Sequence, residues 1–108
     1  MKVDVSSLDF EKGNGLIPVI VQDEDTREIL TLAYCNSEAL KRTIQTKRSW
    51  FWSRSRQKFW MKGEESGNTQ EITEILSDCD SDAIIYLVRP AGPACHMGHR
   101  TCFHNKIM

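Results

Sequence analysis

No run of apolar residues in this 108-residue chain approaches the ~20 needed to cross a bilayer. Its opening stretch, MKVDVSSLDF, is too polar for a secretory leader. An excess of charge is also missing: 14 basic residues stand against 15 acidic ones, so net charge names no partner. There is no internal repeat, no low-complexity tract and no linker, which leaves one domain of common size. The default expectation is a soluble, cytoplasmic protein that binds no membrane. A core built from so short a chain is small, and a dimer partner would help it.

CxxC pairs are absent as well, although there are four cysteines: Cys35, Cys79, Cys95 and Cys102. A reducing cytosol argues against disulfides, and clustered cysteines are more often metal ligands or catalytic groups.

Residues 1–15 form a polar N-terminal segment in which Gly13 and Gly15 mark a turn, and residues 16–108 form the domain proper. LIPVIVQD (16–23) reads as a strand, DEDTRE as a turn and ILTLAYC (29–35) as the hairpin partner. Asn36 suits the N-cap of a helix over SEALKRTIQTK, with Ala39, Leu40 and Ile44 as its apolar stripe. SWFWSRS, QKFWMK, TQEITEILS and DAIIYLVRP follow as strands, with ESGN a turn. From Pro90 onward, two Pro and two Gly predict mostly loop. The expected fold is α+β: a mainly β single domain with a twisted, barrel-like sheet and one or two helices.

Residues 77–103 concentrate three cysteines, three alternating aspartates and two histidines. Three thiolates with an open fourth position would suit a hydrolytic zinc, which lowers the pKa of bound water to ~7. His96, His99 or His104 could instead close the site as a fourth ligand. The alternative is three ordinary buried thiols. In DCDSD, Asp78, Asp80 and Asp82 would share one face of a strand with Cys79 on the other. Crowded carboxylates suit a hard cation such as Mg²⁺; a solvated acidic turn is the plainer reading. An EF-hand is excluded, because Ala83 stands where the loop needs Gly and Arg89 where it needs Glu.

Balanced overall charge hides a local asymmetry. Lys41, Arg42, Lys47, Arg48, Arg54, Arg56, Lys58 and Lys62 occur with no acidic residue among them. Arg54 and Arg56 are expected on one side of a strand, where guanidinium groups can grip phosphates. KGEESGN (62–68) is a turn able to bring Lys62, Ser66, Asn68 and backbone amides to an anion. Trp50, Phe51, Trp52, Phe59 and Trp60 interleave with these charges. The pattern fits single-stranded nucleic acid, a phosphorylated substrate with a purine-like ring, or simply strands with aromatics in the core and charges in water.

FWSRSRQKFWMKGEESGN, DCDSDA and GPACHMGHRTCF, in that order, resemble phosphoribosyl-AMP cyclohydrolase of histidine biosynthesis in its monofunctional form, over about Leu16–Phe103. The resemblance implies hydrolysis of the purine N1–C6 bond of N1-(5-phosphoribosyl)-AMP. It implies zinc on Cys79, Cys95 and Cys102 and Mg²⁺ on Asp78, Asp80 and Asp82. It also implies an intertwined homodimer whose zinc site takes Cys79 from one subunit and the later pair from the other. Beside it, His96 is expected as general base, since an unperturbed imidazole titrates near neutrality. Arg54, Arg56, Lys62, Ser66 and Asn68 are the candidates for the substrate's phosphates and riboses. No nucleic acid is then expected as partner; the competing expectation is a zinc-stabilised single-stranded nucleic-acid-binding domain. The chain departs from the family pattern at His99 and Thr101, where arginine and serine are frequent, and at Ser81, where glycine is common. Cys35 falls in no motif and is expected to be buried packing.

Overall fold

A computed structural model describes residues 3–108; Met1 and Lys2, the start of the polar segment, lie outside the described residues. Alternation dictates the first strand. Ile17, Val19, Val21 and Asp23 are buried and the residues between them are half-buried along β1 (Ile17–Asp23), as one face of a sheet requires. β2 (Ile29–Cys35) returns antiparallel to it, from the Ile17–Cys35 pair to the Gln22–Ile29 pair. The helix α1 (Ser37–Thr46) then begins where Asn36 caps it, the Ala39 amide donating to Asn36 Oδ1 at 2.9 Å. It ends at Lys47, whose left-handed φ of 57° does the work more usual for glycine. Its buried positions are Ala39, Leu40 and Thr43, whereas Ile44 is 46% exposed. The expected stripe is therefore corrected. Thr43 stacks one turn below Ala39 on the inner face, and Ile44 lies about 100° further round.

β3 (Trp50–Ser53) and β4 (Lys58–Met61) form a separate antiparallel ladder. β5 (Gln70–Ser77) and β6 (Ile84–Pro90) complete a four-stranded sheet ordered β2-β1-β6-β5, in which β1 and β6 run parallel. The sheet is open, with β2 and β5 at its edges, so the expected barrel-like closure is not present among the described residues. Mainly β structure with one α-helix is, joined by two short 3₁₀ turns at Val5–Ser7 and Glu11–Gly13.

The core lies between the inner sheet face, α1 and the β3–β4 ladder. Phe51 and Tyr86 are fully buried, with ring centroids 5.8 Å apart, and Trp60 lies 4.8 Å from Phe51. One hydroxyl ties these parts together: Thr43 Oγ1 donates to the Ala39 carbonyl at 3.0 Å, accepts from the Trp50 amide at 3.0 Å and sits 3.2 Å from the Tyr86 hydroxyl. Cys35, buried beside them, matches its expected packing role. On the opposite face of the sheet the strand register aligns Leu32, Ile20, Ile85 and Leu76 in one row across all four strands. Leu32 and Leu76 are 46% and 40% exposed.

Candidate active site

Three segments bring the chemistry-bearing residues forward, and each is shaped by its own backbone. The first is the β5–β6 connection, residues 78–83. Asp78 Oδ1 accepts from the amides of Asp82 and Ala83 at 3.0 and 3.2 Å, and Ser81 takes a left-handed φ of 61°. These bonds fold DCDSD into a turn, not the strand on which its aspartates could share a face. The turn nevertheless gathers them: one oxygen from each of Asp78, Asp80 and Asp82 lies within 4.8 Å of the others.

Crowding and an outside cation split their acidities. Hydrogen bonding to Asp82 and Asp78 raises the Asp80 carboxyl above the usual 3.8. Asp82 is held down at about 2, first by its hydrogen bond to Lys12. The Lys12 ammonium is 2.5 Å from Asp82 Oδ2 and 3.8 Å from Asp80 Oδ2. A carboxylate trio that already attracts a cation, exposed to water, fits a hard divalent ion.

The second segment is the β3–β4 hairpin with the turn that follows it. Arg54 and Arg56 lie in the four-residue turn 54–57, not on a strand as expected. They diverge. Arg56 lines a cavity of about 630 Å³ with Ser53, Trp60, Glu64, Ser66 and His96. Arg54 lies over the Tyr34 ring at 3.9 Å in an adjoining cleft of about 540 Å³. Ser53, Ser55 and Trp60 line both spaces. Lys62 lies at the start of the 62–67 turn and its amide donates to the Ser49 carbonyl at 2.9 Å. Asn68 packs between two glycines: a Cβ on Gly63 would stand 2.4 Å from its backbone and one on Gly92 2.3 Å from its Oδ1. At Gly63, where the near atoms are backbone and φ is +83°, only glycine fits, and Asn68 braces the turn carrying Ser66, whose hydroxyl accepts from the Asn68 amide at 3.2 Å.

The interleaved aromatics are largely used internally. Phe51 is core, Trp52 meets Phe59 edge-on at 4.9 Å, and the Arg42 guanidinium covers Phe59 at 4.1 Å and Trp50 at 5.2 Å. Few faces remain for stacking bases.

The third segment is the loop after β6. Cys95 is buried, Cys102 half-buried and Cys79, in the acidic turn, exposed; all four cysteines are free thiols. The loop doubles back through bonds from the Cys95 amide to the His99 carbonyl and from the Ala94 amide to the Arg100 carbonyl. His99 stacks on His104 at 3.9 Å, and His104 Nε2 is 3.9 Å from Cys95 Sγ. His96 alone of the three histidines lines the 630 Å³ cavity. Arg100 anchors the loop to the β1–β2 turn: Nη2 donates to Asp23 Oδ2 at 3.1 Å and Nε to Glu28 Oε1 at 2.5 Å. Cys79, Cys95 and Cys102 do not come together in one chain; the aspartate trio is the only group of three metal-ligating side chains among the described residues.

Lys12, Tyr34 and Arg100 are absent from the expected set. Each acts through a partner far away in the chain, and no local pattern announces such pairings.

Comparison with known proteins adds an independent line. A family model described as phosphoribosyl-AMP cyclohydrolase matches residues 31–104. The chain is 66% identical over 107 residues, 99% of each protein, to a phosphoribosyl-AMP cyclohydrolase of Nitrosopumilus maritimus. It is 60% identical over 108 residues, 100% of each, to the same enzyme of Cenarchaeum symbiosum. A histidine biosynthesis bifunctional protein HisIE of Thermus thermophilus is 58% identical over 106 residues, 98% of this chain and 49% of that protein. With the acidic turn and the cavity in place, these matches over nearly the whole chain establish that it belongs to the phosphoribosyl-AMP cyclohydrolase family.

Proposed function

We propose that this chain is a zinc-dependent hydrolase that opens the purine ring of N1-(5-phosphoribosyl)-AMP between N1 and C6, a C–N bond of a cyclic amidine, in histidine biosynthesis. The observation that carries this is the convergence of Arg56 and Ser66, from the β3–β4 hairpin and the turn after it, with His96, from the loop after β6, on one 630 Å³ cavity. That volume is of the size expected for a small-molecule site. The substrate bears two 5′-phosphates, and two arginines stand in two adjoining clefts. Arg56 holds one phosphate by paired N–H donors and Arg54 the other. Lys62 adds charge from the edge, and Ser66 a hydroxyl, while Asn68 fixes the turn that presents them.

His96, exposed on the cavity wall, accepts a proton from the attacking water and passes it toward the departing ring nitrogen. An imidazole nitrogen can take up a proton in the first transfer and give it back in the second. Trp60 forms an apolar wall shared by both clefts and keeps the base ring in register. The aspartates Asp78, Asp80 and Asp82 would hold Mg²⁺. Zinc would be held by Cys79 of one subunit with Cys95 and Cys102 of the partner subunit, and when bound would supply a water of lowered pKa. The separation of Cys79 from the C-terminal loop within one chain supports a homodimer as the working form, as does the apolar row on the open sheet face. Free thiols and the absence of a membrane-crossing helix among the described residues suit a cytoplasmic enzyme.

The test is turnover of phosphoribosyl-AMP, followed by the absorbance change on ring opening, by metal-free protein and then with Zn²⁺ and Mg²⁺ restored. Zinc-dependent turnover that disappears in Cys102→Ser, and a fall in kcat larger than any change in KM in His96→Asn, are expected. No turnover by a folded, zinc-loaded dimer would reject the reading.

A further inference from the structure

Lys12, whose side chain meets the acidic turn, comes from outside residues 31–104, the span matched by the family model. Its delivery is not accidental to one side chain. Val5, Leu8 and Phe10 pack against the core. The Asp9 amide donates to the Ser81 carbonyl, at the apex of the acidic turn, at 2.7 Å. The Lys12 amide in turn donates to Asp9 Oδ1 at 3.1 Å. Backbone, side chain and apolar contacts therefore fix the segment on the turn, and the ammonium reaches Asp82 and Asp80 from that platform.

We propose that Lys12 is a positioning residue of the acidic turn: its ammonium is the built-in counter-ion of Asp80 and Asp82, which a divalent cation must displace in order to bind. This rests on the reading of the aspartates as cation holders. A dication among these oxygens would stand within a few ångströms of the ammonium, and the two repel. Lys12 thus competes with the metal for these carboxylates rather than merely scaffolding the turn, so that the N-terminal segment tunes cation affinity.

The two roles predict opposite signs, which makes the experiment decisive. Mn²⁺ binding to the full chain is measured from the electron paramagnetic resonance of the free ion, for wild type, Lys12→Met, Lys12→Arg and Asp80→Asn. Lys12 is 60% exposed, so its variants keep the fold. Removing a competing surface cation should tighten Mn²⁺ binding in Lys12→Met by about 2- to 5-fold. The difference should shrink toward 1 M NaCl, where the Debye length is about 3 Å. Lys12→Arg, which keeps the charge, should stay close to wild type. Equal or weaker binding in Lys12→Met, with Asp80→Asn weakened, overturns the inference alone, because a mere scaffold for the turn would lose affinity with its removal. If Asp80→Asn binds Mn²⁺ as wild type does, the aspartates are not the cation site, and the inference falls together with that part of the proposed function.

Discussion

Replacing Arg100 with alanine removes the clamp that joins the cysteine-bearing loop to the main sheet. Asp23, at the end of β1, has a side chain only 6% exposed. Its Oδ1 accepts from the amides of Asp25 and Thr26 at 2.9 and 3.2 Å, and Arg100 is its ion-pair partner through Oδ2. Breaking a fully buried pair costs about 3–5 kcal/mol, and an exposed one contributes about 0.2–1 kcal/mol. This pair lies between. Arg100 is 58% exposed, and Asp23 keeps two backbone donors. We therefore expect Arg100→Ala to lose about 1–2 kcal/mol, of which the Glu28 contact supplies the smaller, salt-sensitive part.

With a urea m-value of about 1.5 kcal/mol/M, the unfolding midpoint falls by about 1 M. The cycle of Arg100→Ala with Asp23→Asn should return a coupling of about 1 kcal/mol. Faster amide exchange at Cys102, whose N–H donates to the Leu30 carbonyl at 2.8 Å, should accompany it. A coupling within about 0.3 kcal/mol of zero, or a midpoint shift abolished by 1 M NaCl, would refute the claim that a shielded Asp23–Arg100 pair seats the loop.

Thr43→Val keeps the shape of a buried side chain but orphans the Trp50 amide, and should cost about 1–3 kcal/mol in urea titrations. Ser81→Gly should stabilise the metal-free protein by about 0.5–1 kcal/mol, since the left-handed backbone at Ser81 costs a non-glycine residue about 1–2 kcal/mol and the freer unfolded chain returns part of that. Burial pushes the Cys35 thiol from the ordinary 9.0 up to about 12. The folded state therefore holds this proton more tightly than the unfolded one. Stability from this source is complete below pH 9 and is lost as pH rises toward 12. Cys35→Ala should flatten the alkaline limb of a stability–pH curve, leaving the slope of the same sign due to Tyr86, which burial also raises.

Strand positions were legible because β-branched alternation and its interruptions are local signals. The same holds for Asn36, whose side chain caps the residue three positions on. DEDTRE was legible as a turn, but two other turns without glycine or proline were not. In SRSRQ the left-handed residue is Gln57, with φ 53°, and nothing in its side chain betrays the reversal that carries Arg54 and Arg56 away from each other. In DCDSD it is Ser81. Ile44 is apolar yet faces outward because its angle on the helix decides its side, while Thr43, polar by type, is buried and satisfied. The site's metal-ligating types stood in plain sight, yet their mutual distances did not. Lys12 meets Asp82 across 70 positions and Arg100 meets Asp23 across 77, separations at which spacing carries no information.

The parallel pairing of β1 with β6 also sets the order in which the molecule can assemble. Val19 finds Ile84 across the ladder, whereas the β1–β2 and β3–β4 hairpins close over short loops. During synthesis both hairpins and α1 can form early, but β1 waits with one edge bare until nearly the entire polypeptide has left the ribosome. Contacts of such long separation slow folding, and an unpaired central strand of Ile and Val is an invitation to pair wrongly. The last strand to emerge is thus the one that shields the first.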